Sequence, residues 1–215
     1  MSDSIISSVK DSNLVEKRRN QIVKASIKLF KQKGFAKTTT REIAKESGFS
    51  IGTLYEYVRT KEDVLLLVFD TINQNLFERL KQVIDVKDQS LENVINAISA
   101  YYRLIDQLQE EVLILYQEVK SLPQTEREAV LQRELEMVDM IKQAIIVSAP
   151  SAIAEKDALL LANNVLVQGH MWGFRRWSLQ KQFTLEEYTE KQIDFLLKAL
   201  HDNQSTNEIN DNISE

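Results

Sequence analysis

Hydroxyl-bearing side chains are concentrated between residues 37 and 61 of this 215-residue sequence. Thr53, Tyr55 and Tyr57 place hydroxyl groups where they could meet the edges of nucleic-acid bases and phosphates. Gly52 leaves room beside them for close approach to a sugar-phosphate backbone. These residue types suit the binding of a phosphate-rich polymer, and they suit it better than they suit a chemical reaction.

The charge of the chain is divided unevenly along its length. Residues 14–61 hold twelve bases and four acids, a net charge of +8 that leaves −13 for the rest and −5 in total. Thr40 and Lys61 stand at predicted helix starts, where the positive helix end and the side chain can hold a phosphate together. The division predicts a basic face for phosphates and an acidic body with a separate task.

Catalytic and metal-binding patterns are missing from the sequence. It contains no cysteine, two histidines (His170 and His201) and no glycine-rich phosphate loop. A metal site would therefore lack partners for either histidine, and no arrangement of nucleophile, base and acid is present. We predict no enzymatic activity, no cofactor and no metal. For His170 the alternatives are a ligand or general base and a satisfied interface histidine, and the second is favoured.

The elements that must position these side chains are helices. Five glycines and two prolines in 215 residues leave few turns for a sandwich or barrel. Apolar spacing and capping residues predict nine helices and no strand, an all-α fold. The longest apolar run, Val64 to Phe69, is six residues, whereas a membrane span needs about 20. The N-terminus lacks the pattern of a secretory signal, so we expect no membrane contact and a cytoplasmic location.

Around the candidate binding residues, the helix boundaries can be predicted one by one. Thr39 and Glu42 have the spacing of a capping box, and Gly48 permits the positive φ of a tight turn. Ser50 can cap the next short helix, and Thr60 precedes a long one. A short helix, a tight turn and a second short helix form the layout of a helix-turn-helix, whose second helix lies in the major groove.

At these residues the chain resembles the TetR family of bacterial transcription regulators. The resemblance covers about residues 14–61. It rests on Thr38-Thr39-Thr40, Arg41-Glu42-Ile43-Ala44, Gly48-Phe49-Ser50, Gly52-Thr53-Leu54-Tyr55-Glu56-Tyr57 and Thr60-Lys61-Glu62. Two positions depart from the family pattern. Val58 replaces the usual Phe, and Ile51 stands where many members carry a basic or polar residue.

The resemblance implies an N-terminal three-helix DNA-binding domain, a homodimer, a ligand cavity in the C-terminal helices and release of DNA when a small molecule binds. By that resemblance, the DNA-contacting residues are Thr40, Ser50, Gly52, Thr53, Tyr55, Tyr57 and Lys61. The expected partners are a double-stranded, pseudo-palindromic operator and a small-molecule effector. The expected domains are 1–60 for DNA binding, with 1–13 disordered, and 61–202 for ligand binding and dimerisation. A disordered acidic tail is expected at 203–215.

The effector site is predicted from polar tips among apolar helices and from the family. The candidate ligand-binding residues are Tyr101, Tyr102, Arg103, Tyr116, Trp172, Arg175 and Arg176. For each tyrosine, core packing is the alternative. Two stretches, Leu115 to Glu118 and Trp172 to Trp177, loosely resemble family members that control fatty-acid or acyl-CoA catabolism. If the effector is of that kind, Arg103, Arg175 or Arg176 would meet its anionic head group.

A dimer interface is expected near the C-terminus. Gly169 and Gly173 lie four residues apart and share a helix face, which lets another helix approach closely. The family uses its last two helices for dimerisation. The candidate interface residues are Gly169, Gly173, Trp177, Ile193 and Leu197.

The function that these observations favour is a ligand-responsive repressor. The alternative from another class is a helical ligand-binding or enzymatic protein that no longer binds DNA. An activator has the same sequence features as a repressor, so the sequence leaves both open.

Overall fold

The computed structural model describes residues 11–84, 88–148 and 153–213, with side chains as far as His201. Within these ranges the chain forms ten α-helices and one 3₁₀ turn, and no strand. The helices are α1 (Ser12–Lys37), α2 (Thr40–Glu46), α3 (Ile51–Tyr55), α4 (Lys61–Val83), α5 (Leu91–Gln107), α6 (Gln109–Glu118), α7 (Gln124–Ser148), α8 (Glu155–Phe174), α9 (Arg176–Leu179) and α10 (Leu185–Ile213). The predicted all-α fold is confirmed.

The tenth helix arises from a break that the sequence pattern does not reveal. Nine helices were predicted, and the described ranges contain ten because Arg175, with φ −104° and ψ 20°, separates α8 from α9. Position 175 is neither glycine nor proline, so the local sequence contains no helix-breaking residue that would predict the break.

The first compact unit combines Met1–Asn75 with Glu110–Gln132. In it α2 packs against both α1 and α3, and Ile22, Ile43 and Leu54 are fully buried. The first half of α4 belongs to the same unit, which therefore extends beyond the domain boundary expected at residue 60. Buried Val64 and Leu65 at the start of α4 show why: that turn of helix carries apolar side chains that only a core can accommodate.

The second compact unit combines Leu76–Gln109 with Arg133–Glu215. Here α5, α8 and α10 pack against one another. Their buried faces meet in a core that contains Tyr101, Tyr102, Leu166, Trp172 and Leu196. The unit also includes the second halves of α4 and α7.

Both predicted disordered tails are partly helical. Asp11 Oδ1 accepts a hydrogen bond from the Leu14 amide at 3.1 Å and caps α1, so residues 12 and 13 are helical. The helix α10 continues to Ile213 because no glycine or proline interrupts residues 185–213. Residues 1–10 and 214–215 lie outside the described ranges.

No helix in the described part of the chain combines the length and apolar character needed to cross a membrane.

Candidate nucleic-acid interface

The helix α2 begins at the predicted capping box. The Glu42 amide donates to Thr39 Oγ1 at 3.3 Å, and the Thr39 amide donates back to Glu42 Oε2 at 2.9 Å. Lys33 forms an ion pair with the same carboxylate. The bond from Lys33, followed by those from Thr39, lowers the pKa of Glu42 to about 2. The start of α2 is therefore fixed by local bonds and tied to α1 by Lys33.

The turn between α2 and α3 requires glycine. Gly48 has φ +77°, a conformation that side-chain-bearing residues avoid. The Phe49 amide then donates to the Ala44 carbonyl at 2.8 Å. Ser50 Oγ accepts from the Thr53 amide at 3.0 Å and caps α3 as predicted. Buried Ile43 and Leu54 hold the two helices together.

Most predicted DNA-contacting residues lie on the outer side of this motif. Ser50, Gly52 and Tyr55 are exposed, and Thr40 and Thr53 are partly exposed. The Thr40 and Tyr55 hydroxyl groups are 3.3 Å apart, and Ser50 Oγ lies 2.9 Å from Thr53 Oγ1. The structure thus brings the start of α2 and both ends of α3 into one polar surface. We call Thr40, Ser50, Gly52, Thr53 and Tyr55 the hydroxyl surface.

The side chain of Tyr57 is buried, whereas the predicted DNA contact requires an exposed one. It is only 3% exposed, and its ring centroid lies 6.4 Å from that of Phe49. The side chain therefore belongs to the core of the motif. Truncation of Tyr57 to alanine would damage the fold before it tested DNA contact.

Lys61 also has a structural role that the sequence did not reveal. Its Nζ donates to the Phe35 carbonyl at 3.1 Å and to the Ala36 carbonyl at 3.4 Å, and it lies 4.2 Å from the Phe35 ring centroid. These carbonyls end α1 just after Gly34, where φ is +79°. Lys61 thus caps the end of α1 from the start of α4, and two of its three N–H donors are engaged before any phosphate arrives.

The first unit, which contains the hydroxyl surface, also carries exposed basic side chains. The exposed bases in this segment are Lys17, Lys24, Lys28, Lys31, Lys37, Arg41, Lys45 and Arg59. Lys28 and Lys31 form ion pairs with Glu46 and Glu111. The other six exposed bases lie within residues 14–61, the segment with a net charge of +8, and such an excess of positive charge supports binding to a phosphate backbone.

Arg18 and Glu118 are two residues that sequence reasoning missed. The Arg18 guanidinium lies 5.1 Å from the Phe49 ring centroid, so it packs α1 onto the turn of the motif. Glu118 Oε1, at the end of α6, accepts from the Phe35 amide at 3.4 Å. The second contact spans 83 residues of sequence, a separation at which no local pattern could have predicted it.

The two departures from the family pattern take different places. Val58 is fully buried and completes the core, whereas Ile51 is exposed at the first position of α3. Val58 is smaller than the usual phenylalanine but still packs within the core. Ile51 presents an apolar side chain on the recognition helix.

The candidate ligand-binding residues separate into buried and exposed groups. Tyr101, Tyr102 and Trp172 are buried in the second unit. Arg103, Arg175 and Arg176 are exposed in that unit, and Arg175 lies 4.9 Å from the ring centroid of Trp177. Tyr116 belongs to the first unit, on α6. In the second unit, the predicted ligand-binding residues therefore comprise three buried aromatic side chains and three exposed arginines.

The predicted interface glycines lie inside the second unit, which corrects that part of the prediction. A Cβ atom on Gly169 would lie 2.7 Å from Tyr101 Cε1 and 3.1 Å from Tyr102 Cδ1, and one on Gly173 would lie 3.6 Å from Gln109 Cα. The glycines do allow close helix approach, but the approaching helix is α5 of the same chain for Gly169. Of the other interface candidates, Trp177 is exposed, and Ile193 and Leu197 line a groove with Arg103.

The histidine in this core supplies a pH test. His170 Nε2 and the Tyr101 hydroxyl are hydrogen-bonded at 2.7 Å, and burial lowers the pKa of His170 from 6.5 to about 4. The unfolded chain therefore binds the proton more readily than the folded one does. We expect the stability that neutral His170 contributes to be complete above pH 6.5 and to be lost as pH falls towards 4. Thermal unfolding measured from pH 7.5 to 4 tests this.

The matched variants for that measurement are His170→Gln and His201→Gln. Glutamine can bond to Tyr101 but does not titrate, so His170→Gln should show a shallower decline of the unfolding midpoint between pH 6.5 and 4. His201 is exposed, and its replacement should leave the wild-type decline unchanged. An identical pH dependence in His170→Gln and wild type would contradict the prediction.

An exposed recognition helix, capped by Ser50 and joined to α2 by a glycine turn, defines a helix-turn-helix DNA-binding protein. Comparison with known proteins agrees. Residues 22–68 match the family model described as bacterial regulatory proteins, tetR family. The chain is 28% identical over 197 residues to the HTH-type transcriptional regulator HbdR of Aromatoleum sp. (strain CIB), covering 91% of this chain and 86% of that protein. It is 29% identical over 85 residues to the fatty acid metabolism regulator protein of Bacillus subtilis (strain 168), covering 40% and 44%.

Solved structures share the fold. A bacterial regulatory protein in the tetR family from Rhodococcus RHA1 matches with a TM-score of 0.74 at 18% identity, covering 86% of this chain and 96% of that one. Residues 22–68 thus carry the sequence pattern of the TetR family of bacterial regulatory proteins. These findings indicate a DNA-binding transcriptional regulator.

Proposed function

We propose that this chain is a homodimeric transcriptional repressor that binds a pseudo-palindromic operator and is released by a small, largely apolar effector. The single observation that carries the proposal is the hydroxyl surface of α2 and α3, exposed on a unit with a strongly basic segment. Bacterial operator DNA lies in the cytoplasm, so the proposed function implies that location.

An apolar stripe on α8 supports the homodimer. Leu160, Val167 and Met171 are exposed, and their spacing of seven and four residues puts them on one face of the helix. Phe195 on α10 is a further exposed aromatic residue of this unit. Exposed apolar side chains that share a helix face suit contact with another protein surface, and a second copy of the chain is the partner that a pseudo-palindrome requires. The dimer would present two recognition helices about 34–36 Å apart.

The effector class is supported by the core of the second unit. The buried aromatic side chains of Tyr101, Tyr102 and Trp172 suit an apolar molecule. A fatty acid or an acyl-CoA is one class to consider, because a relative of this chain is named for fatty acid metabolism. Effector binding would lower DNA affinity by its preference for the conformation that does not fit the operator.

A gel shift tests the proposal. We expect DNA from upstream of the chain's own gene to be retarded at nanomolar protein, the usual range for a specific site, and the affinity to fall steeply as salt rises. The protein should elute as a dimer, and Leu160→Glu should make it monomeric and weaken retardation. The control is Leu135→Glu on α7, because Leu135 and Leu160 are similarly exposed at 55% and 61%.

Several results would contradict individual parts of the proposal. Absence of retardation at low salt would favour the alternative, a helical ligand-binding or enzymatic protein that does not bind DNA. A monomeric wild type that still binds the full operator would refute the homodimer. Higher expression of the neighbouring genes in the presence of the protein would indicate an activator. Mass spectrometry of small molecules retained by the purified protein identifies the effector.

A further inference from the structure

Tyr102 has a buried hydroxyl group without a hydrogen bond. The residue is 0% exposed, and within the described residues nothing bonds its hydroxyl oxygen. Burial, followed by the proximity of Tyr188, raises its pKa, so the hydroxyl group stays neutral. A buried polar group without a partner loses its hydration and gains no hydrogen bond in return, and such groups in native proteins call for an explanation.

A second buried polar atom without a hydrogen bond belongs to a residue that also neighbours Tyr188. In the described part of the chain, Gln192 Oε1 on α10 is buried and accepts no hydrogen bond. A side-chain hydrogen bond joins Gln192 to Tyr188, and the Tyr188 ring centroid is 6.0 Å from that of Tyr102. Tyr188 itself is satisfied, because its hydroxyl donates to the Gln168 carbonyl at 2.7 Å. Tyr102 and Gln192, the two residues that carry these unsatisfied atoms, therefore both neighbour Tyr188.

Aromatic rings surround this pair. The Tyr188 and Trp172 centroids are 5.1 Å apart, and those of Tyr101 and Tyr102 are 6.1 Å apart. The Trp172 indole donates from Nε1 to Asp106 Oδ1 at 2.6 Å, and Tyr101 is bonded to His170. The polar groups of these neighbours are thus engaged, and what they offer near Tyr102 is apolar ring surface.

We propose that Tyr102 and Gln192 form the polar end of the effector site and bind a neutral hydroxyl group carried on an apolar, aromatic molecule. The ligand hydroxyl would accept a hydrogen bond from the Tyr102 hydroxyl and donate its own proton to Gln192 Oε1. An ionised carboxylate lacks the proton that Gln192 Oε1 requires, so the pair selects a hydroxyl over a carboxylate. The inference rests on the proposed release by a small, largely apolar effector, and within that proposal it favours a hydroxyl compound over a fatty acid.

Three probes test the inference: 4-ethylphenol, ethylbenzene and 4-ethylbenzoate. They share an ethylbenzene ring and differ only in the para substituent, which is a hydroxyl, a hydrogen or a carboxylate. We expect 4-ethylphenol to raise the thermal midpoint of the wild-type protein and to bind at least tenfold more tightly than the other two. Tyr102→Phe and Gln192→Leu should each lower the affinity for 4-ethylphenol by about tenfold, the loss that corresponds to one hydrogen bond. Isothermal titration calorimetry measures the affinities.

The adjacent tyrosine provides the matched control. Tyr101→Phe removes a hydroxyl that is already bonded to His170, so it should lower the thermal midpoint without probe but preserve the preference for the phenol. Tyr102→Phe should not lower the midpoint, because it removes a hydroxyl that has no partner. A variant that binds the phenol less tightly at an unchanged thermal midpoint has lost binding, whereas a variant with a lower midpoint has lost stability.

Two outcomes would overturn the inference. One is equal binding of ethylbenzene and 4-ethylphenol, and the other is unchanged phenol affinity in Tyr102→Phe. Lack of binding by all three probes, with a higher midpoint in Tyr102→Phe, would mean that solvent alone occupies the site and would also overturn it. Operator binding by the probe-free protein is measured separately, so the inference can fail while the proposed DNA binding stands.

Discussion

Gly169→Ala is expected to lower the free energy of unfolding by about 1–2 kcal/mol. The new Cβ atom would stand 2.7 Å from Tyr101 Cε1 and 3.1 Å from two atoms of Tyr102. Both rings are buried and cannot rotate away, so α8 and α5 must separate. Overpacking of this kind destabilises by roughly 1–3 kcal/mol, and the higher helix propensity of alanine offsets up to about 1 kcal/mol of it. Chemical denaturation of the purified variant measures the change.

Gly173→Ala is the control for that prediction. It lies one turn further along α8, and its new Cβ atom would be 3.6 Å from Gln109 Cα and Cβ, an ordinary contact distance. The gain in helix propensity should therefore dominate, and the free energy of unfolding should rise by up to about 1 kcal/mol. If both variants shifted stability in the same direction, the close approach of α5 at Gly169 would not be the cause.

Tyr55→Ala is expected to weaken operator binding by about tenfold or more, the range for loss of one good contact on a recognition helix. Tyr55 is 49% exposed at the end of α3, with its hydroxyl 3.3 Å from that of Thr40. Because the ring is outside the core, its removal should leave the fold intact. Fluorescence anisotropy with a labelled operator measures affinity, and the thermal midpoint confirms folding.

Tyr116→Ala is the matched control for Tyr55. Both tyrosines belong to the first unit, and Tyr116 on α6 is 40% exposed, so the two substitutions remove the same group from positions of similar exposure. Operator affinity should be unchanged in Tyr116→Ala. Equal loss of affinity in the two variants, or none in Tyr55→Ala, would remove α3 from the interface. Tyr57→Ala and Lys61→Ala are poorer tests, because their side chains hold the fold.

The motif itself could be predicted residue by residue because its determinants are local. The capping box of Thr39 and Glu42 joins atoms three residues apart, and Ser50 caps α3 through the amide of Thr53. Gly48 has the positive φ that the turn required. Bonds across three or four residues depend on residue type and spacing alone, and those are fully present in the sequence.

The roles of Tyr57 and Lys61 could not be predicted in the same way. Both types suit phosphate binding, but their surroundings come from distant residues. Lys61 bonds to carbonyls 25 and 26 positions earlier, and Tyr57 is covered by the folded motif. A side chain that meets a carbonyl or an aromatic ring before any ligand arrives takes on a structural role, and only the fold decides which groups it meets.

The second unit shows the same division between local and long-range information. The spacing of Gly169 and Gly173 was enough to predict a close helix approach, since residues four apart share a face. Which helix approaches was not contained in that spacing, and the structure places α5 there. The caps of α2 and α3, the turn between them and the helix-turn-helix were thus determined by the sequence itself, whereas the break between α8 and α9 was not. The partner of each helix face, and the unsatisfied hydroxyl of Tyr102, were decided by tertiary packing, because each depends on atoms distant along the chain.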